Sequence, residues 1–206
     1  MVAVTVRAGS KAEMALPDGT FVHLNAATNL EYDVNNSKQR LVKLSGEAFF
    51  DVAKNPDCPF KVIINDLQIE VVGTSFNVKT YKKDIVETSL LSGRIRISGG
   101  SLPHEYTLSP GQKATYSAMD RTLRISKADA HVEAGWRDNY LIFESTPLID
   151  VIAQIERWYG VEIRLHHKQI AQDLLSGSFR NESIQNVIRS LSIQYGFKYE
   201  IHKDII

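Results

Sequence analysis

The chain has 206 residues, 43% hydrophobic and 23% charged, enough for one generous core or two modest ones. Lysine plus arginine equals aspartate plus glutamate at 24 each, with no basic stripe, so nothing in the charge pattern favours nucleic acid or an anionic membrane. Cys58 is the sole cysteine, which excludes an internal disulfide and a thiolate metal cluster; no apolar run reaches the roughly 18 residues of a membrane span.

The N-terminus, "MVAVTVRAGS", lacks the apolar core of a signal peptide, so the chain reads as cytoplasmic or as a soluble piece of a longer protein. From residue 1 to about 126 the pattern alternates at period two between turns. In "LPDGTFVHL" a Pro-Asp-Gly turn feeds a strand, and "RLVKLSGEAFFDVA" (Arg40–Ala53) reads as one long strand. "LQIEVVGTSFNVKTY" (Leu67–Tyr81) reads as another, interrupted at Gly73-Thr74 by a bulge or a close backbone approach. "IVETSLLSGRIRIS" and "YTLSPGQKATYS" read as hairpins around Ser92-Gly93 and Ser109-Pro110-Gly111, and "RTLRIS" closes the series. Such spacing predicts an all-β sandwich or roll.

Within Arg40–Ala53 the even positions are uniformly apolar or small, so they form the predicted core face. Glu47 and Asp51 then share the outer face about 13 Å apart. That exceeds the ~6.5–9.5 Å of an inverting glycosidase pair, so they are not catalytic partners. Phe49 stands on the same polar face, where it is either covered by a second layer or exposed as a contact patch.

After the small, polar boundary "KADAHVEAGWRD" the period changes. Phe143–His166 aligns without gaps to Phe179–His202 at an offset of 36 residues, with six identities. Leu148, Val151, Ile152 and Ile155 repeat as Ile184, Val187, Ile188 and Leu191, one apolar helix face written twice. Ser145 or Thr146 and Asn181 are the expected N-caps, and Gly160 and Gly196 the left-handed C-terminal residues. Alternation resumes after each glycine, so each unit reads strand, helix, strand. The predicted fold is mixed: an all-β domain over 1–128, then a small α+β module of two βαβ repeats over 136–206.

Signatures of phosphate-binding, dinucleotide-binding and nucleophile-elbow chemistry are absent, and no histidine pair has zinc spacing. His166 and His167, adjacent at a predicted strand end, point to opposite faces. No cofactor is expected.

"LPDGTFVHLNAATNLEY", "RLVKLSGEAFFDVAKNPDCPFKV", "IEVVGTSFNVKTY" and "LSPGQKATY" resemble, in order and spacing, the FecR family of anti-sigma regulators. "WRDNYLIFESTPLIDVIAQIERWYGVEI" with "SGSFRNESIQNVIRSLSIQYGFKYEI" resembles the C-terminal domain of its Bacteroidetes members. The resemblance covers nearly the whole chain and implies the periplasmic part of a single-pass inner-membrane protein, here a soluble fragment. Its implied partners are the signalling domain of a TonB-dependent outer-membrane transporter and, through a cytoplasmic segment absent from this chain, an extracytoplasmic-function sigma factor. The duplicated module resembles the secretin and TonB N-terminus fold. Strand addition at a final edge strand, Lys198, Tyr199, Glu200 and Ile201, is one expected contact. Trp158 is a second interface candidate, although its place on the apolar stripe favours core packing. Some family members cleave themselves at a Gly-Thr bond, and Gly73-Thr74 is the matching pair; a structural bulge explains the same residues. No enzymatic turnover is expected. The alternative function is a carbohydrate-binding or carbohydrate-active β protein.

Overall fold

The structure is a computed structural model and describes residues 2–33, 40–164, 171–201 and 205–206. The chain divides into two compact units, Met1–Val6 with Lys11–Ala134, and Arg7–Ser10 with Gly135–Ile206. The chain is mostly β with a small C-terminal α+β region, the predicted class.

The first unit is built from β1 (Val2–Val6), β2 (Ala12–Ala15), β3 (Phe21–Leu24), β4 (Thr28–Tyr32), β5 (Arg40–Ser45), β6 (Glu47–Asp51) and β7 (Phe60–Ile64). It continues through β8 (Leu67–Val71), β9 (Ser75–Lys79), β10 (Ile85–Ser92), β11 (Ile95–Gly99), β12 (Tyr106–Leu108), β13 (Gln112–Ser117) and β14 (Thr122–Lys127). These form two seven-stranded sheets, β1-β4-β5-β7-β8-β11-β12 and β14-β13-β10-β9-β6-β3-β2. Only β5 and β7 pair in parallel among the strand pairs described. The chain typically makes one hairpin in a sheet and then crosses to the other.

Several sequence expectations fail at those crossings. Arg40–Ala53 is two strands, β5 in one sheet and β6 in the other, broken at Gly46. Gly46 has φ +116°, and a Cβ there would stand 2.7 Å from Thr28 Cα and 2.9 Å from the Ala27 carbonyl oxygen. Leu67–Tyr81 likewise divides into β8 and β9, so Gly73-Thr74 is a sheet-crossing corner rather than a bulge. The two expected hairpins around Gly93 and Gly111 are crossings as well, since β10 and β11, and β12 and β13, lie in different sheets.

Between the sheets, alternate residues of nearly every strand are buried. Phe50 stacks on Phe76 at 5.2 Å between centroids and tilts against Phe60, from the opposite sheet, at 5.8 Å. Each such side chain contributes roughly 1.5–3 kcal/mol through burial. The predicted polar boundary is structured: α1 (Ala130–Ala134) is followed by a 3₁₀ turn at Gly135–Asp138, with Ala134 and Trp136 buried. Glu133 of α1 accepts hydrogen bonds from Ser89 Oγ (2.9 Å) and Lys113 Nζ (2.6 Å), which ties α1 to β10 and β13.

In the second unit, β15 (Tyr140–Pro147) pairs antiparallel with β16 (Leu174–Arg180), and α2 (Leu148–Tyr159) and α3 (Ile184–Tyr195) follow them. The repeated phenylalanines Phe143 and Phe179 meet edge to face at 6.4 Å. The repeated helix faces share one core of Leu148, Val151, Ile152, Ile155, Val187 and Leu191 with Leu141 and Leu175. Gly160 and Gly196 end the helices at φ +68°, as expected. The N-caps differ. Pro147 stands at the N-cap of α2 with no side-chain capping bond, Ser145 lying at an irregularity of β15 with φ +44°, and Ser183 rather than Asn181 caps α3, accepting from the Asn186 N–H at 3.3 Å. The turn Arg7–Ser10 belongs to this unit through the Gly9 N–H, which donates to the Arg157 carbonyl at 2.8 Å. Of the expected closing strands, the described residues show one parallel bridge, Glu162 with Ile205. His166 and His167 lie outside the described residues.

Candidate functional site

The motifs of the first unit converge on buried polar structure. Arg40, at the start of β5, is buried and donates to the carbonyls of Cys58 (2.6 Å), Ala53 (2.6 Å) and Asn55 (3.2 Å) and to Asp18 Oδ2 (3.2 Å). Asp18 in turn accepts from the Thr20 N–H and hydroxyl at 3.0 and 2.8 Å. One guanidinium thus organises the Pro-Asp-Gly-Thr turn and the loop from β6 to β7, satisfying carbonyls that no strand reaches. Nothing in the local pattern around Arg40 distinguished it from an exposed strand-end arginine.

Glu47 is buried too, which corrects its predicted place on a solvated face. Its carboxylate accepts from the side-chain amides of Asn25 (2.7 Å) and Asn77 (2.9 Å). Burial lowers the nearby Lys11 amine to about 8, while Glu47 pulls it upward. Asp51 is exposed and accepts from Ser75 Oγ at 2.7 Å. The two carboxylates serve separate structural contacts.

Phe49 is 4% exposed. Its ring meets His23 edge-on at 6.0 Å, so the alternative of an exposed contact patch is corrected: this side chain is covered in the structure. Its strand face is the one on which α1 docks at Ser89 and Lys113.

Gly73 and Thr74 occupy the corner between β8 and β9. A Cβ on Gly73 would meet Lys54 Cα at 2.9 Å and Cβ at 2.8 Å, so glycine is required by close approach. Thr74 is buried; its hydroxyl donates to the Arg94 carbonyl (3.1 Å) and its carbonyl accepts from the Val52 N–H (3.0 Å). Gly93, at φ +90°, packs against this same peptide, with its virtual Cβ 2.8 Å from the Gly73 carbonyl oxygen. Two glycine corners therefore lock together. A groove of about 600 Å³ opens beside them, lined by Lys54, Glu70, Val72, Arg94, Arg96 and Thr107 among others.

In the second unit, Trp158 is half-buried against the core. With Tyr159, Phe179, Asn139, Asn181 and Glu182 it lines a cleft of about 270 Å³. The Tyr159 hydroxyl donates to the Glu182 carbonyl oxygen at 2.8 Å, and burial, then the Glu182 carboxylate, raises its pKa, keeping the phenol neutral. Lys198, Tyr199, Glu200 and Ile201 form no strand, which corrects the expected edge strand there; the only pairing described near the C-terminus is the Glu162–Ile205 bridge.

Family models match both units: "FecR protein" over residues 2–96 and "FecR, C-terminal" over 140–206. Two crystal structures of a protein assigned as an anti-sigma factor from Parabacteroides distasonis ATCC 8503 are similar along the full chain. The 1.65 Å structure is 29% identical with TM-score 0.89, covering 100% of this chain and 97% of that one. The 2.50 Å structure is 30% identical with TM-score 0.88, covering 99% and 96%. The chain belongs to the FecR family. It is therefore a signal-transducing anti-sigma regulator, from a family of membrane-associated proteins that act on a sigma factor. None of the curated proteins matches this FecR-family chain. No helix among the described residues is long and apolar enough to cross a membrane, and none of their acidic, histidine or cysteine groups clusters as a metal site.

Proposed function

We propose that this FecR-family chain is the periplasmic signal-receiving region of a single-pass anti-sigma regulator. Its second unit meets the N-terminal signalling domain of a TonB-dependent outer-membrane transporter. A cytoplasmic segment of the full-length protein holds an extracytoplasmic-function sigma factor. The observation that carries the reading is the Trp158 cleft on the separately packed C-terminal unit, in the region matched by the family's C-terminal model. A half-exposed tryptophan flanked by Tyr159 and Phe179, with amides and a carboxylate at the rim, has the anatomy of an interface hot spot.

The test is binding of the chain to the signalling domain of a transporter encoded beside it. Trp158→Ala, with the fold checked by circular dichroism, is expected to weaken binding about tenfold or more. Absence of binding at high micromolar concentration, or an undiminished affinity of the variant, would sink this assignment. The carbohydrate-active alternative gains nothing from Glu47 and Asp51, whose carboxylates are engaged by Asn25, Asn77 and Ser75.

A further inference from the structure

The groove beside Gly73 and Gly93 is a built feature of the sandwich. Its floor is backbone, the Gly73-Thr74 peptide packed on Gly93. The Lys54 stem lies across Gly73 because no Cβ intervenes, and the Arg94 backbone is held by the Thr74 hydroxyl. Both cations thus project from backbone held at one corner, which places them beside the same groove.

Charge decides what such a groove takes. Arg96 is engaged by Glu70 and by Glu105 (3.6 Å), and Lys61 by Glu70 (3.5 Å). Lys54 and Arg94 have no acidic partner and donate no side-chain hydrogen bond among the described residues. Lys54, Arg94 and Arg96 against Glu70 leave the lining two positive charges in excess, three minus one. Val72, 38% exposed, adds an apolar wall beside them. The volume of about 600 Å³ falls within the roughly 300–1,000 Å³ of small ligand clefts, room for a few residues of extended chain.

We infer that this groove binds a short acidic segment of a partner protein, with carboxylates on Lys54 and Arg94 and an apolar side chain on Val72. A nucleic-acid backbone fits worse: Glu70 would face its phosphates, and the chain as a whole carries no excess of positive charge. The inference concerns the first unit and stands apart from the Trp158 contact, so either can fail without the other.

The test uses the full chain and fluorescence anisotropy with a dye-labelled pentapeptide of alternating glutamate and valine, its glutamine counterpart, and inorganic phosphate as competitor. The glutamate peptide is expected to bind saturably and the glutamine peptide at least about tenfold more weakly. Lys54→Gln with Arg94→Gln should weaken the glutamate peptide about tenfold, as should raising salt to about 0.5 M. Lys83→Gln, an exposed lysine outside the groove lining, should change nothing. Equal binding of the two peptides, no saturable binding, or indifference to the double substitution in a folded variant would overturn the inference. So would phosphate binding as tightly as the peptide.

Discussion

At the scale of single residues, the motif positions act through contacts that close the sandwich. Gly46 is the sharpest case, since both its φ of +116° and the Thr28 and Ala27 backbone exclude a side chain. Gly46→Ala is expected to cost about 2–4 kcal/mol, read as a lower midpoint in urea unfolding, with backbone strain and overpacking adding. Gly73-Thr74 carries a different prediction. The Thr74 hydroxyl is committed to the Arg94 carbonyl, and no carboxylate or imidazole is bonded to it among the described residues. We propose that in this chain the pair is a clamp between crossings, and that its peptide bond persists. Intact mass after days at 37 °C is expected to show one full-length species. Fragments ending at Gly73 would instead show a self-cleaving bond. The residue pattern made the pair visible, but only its neighbours Lys54 and Gly93 gave it a reason.

At the scale of elements, the helices were legible and the sheets only half so. The i, i+3, i+4, i+7 pattern marks α2 and α3 because a helix satisfies its backbone within itself and needs only one buried face. The Ser183 cap shows how local that logic is: Ser183→Ala is expected to remove about 1 kcal/mol from the second unit, measurable as reduced hydrogen-exchange protection across α3. A strand is different, because its partner lies elsewhere in the chain. Alternation through Gly46, Gly73, Gly93 and Gly111 reads the same whether the next strand returns beside the last or crosses to the facing sheet. Hence two long strands and two hairpins were expected where the chain changes sheets. Likewise the closing strands expected from alternation after Gly160 and Gly196 are described only as the bridge of Glu162 with Ile205.

At the scale of the whole molecule, the two sheets of the first unit depend on a few large side chains that reach across. Phe50, fully buried between Phe76 and Phe60, is the clearest. Phe50→Ala is expected to cost about 3–5 kcal/mol, and calorimetry should show it as a lowered transition of the sandwich. From sequence alone came the β-rich class, the duplicated helix faces with their glycine ends and the motifs that resemble the FecR family. All of these rest on local periodicity, turn chemistry or spacing, which the linear order of residues carries in full. Tertiary structure alone decided which strands face each other, that Phe49 and Glu47 are buried, that Arg40 joins the Asp18 turn to the loop from β6 to β7, and that Lys54 and Arg94 share one groove. Those are meetings between residues far apart in the chain. Burial and hydrogen bonding are set there by the partner, and a linear pattern does not name the partner.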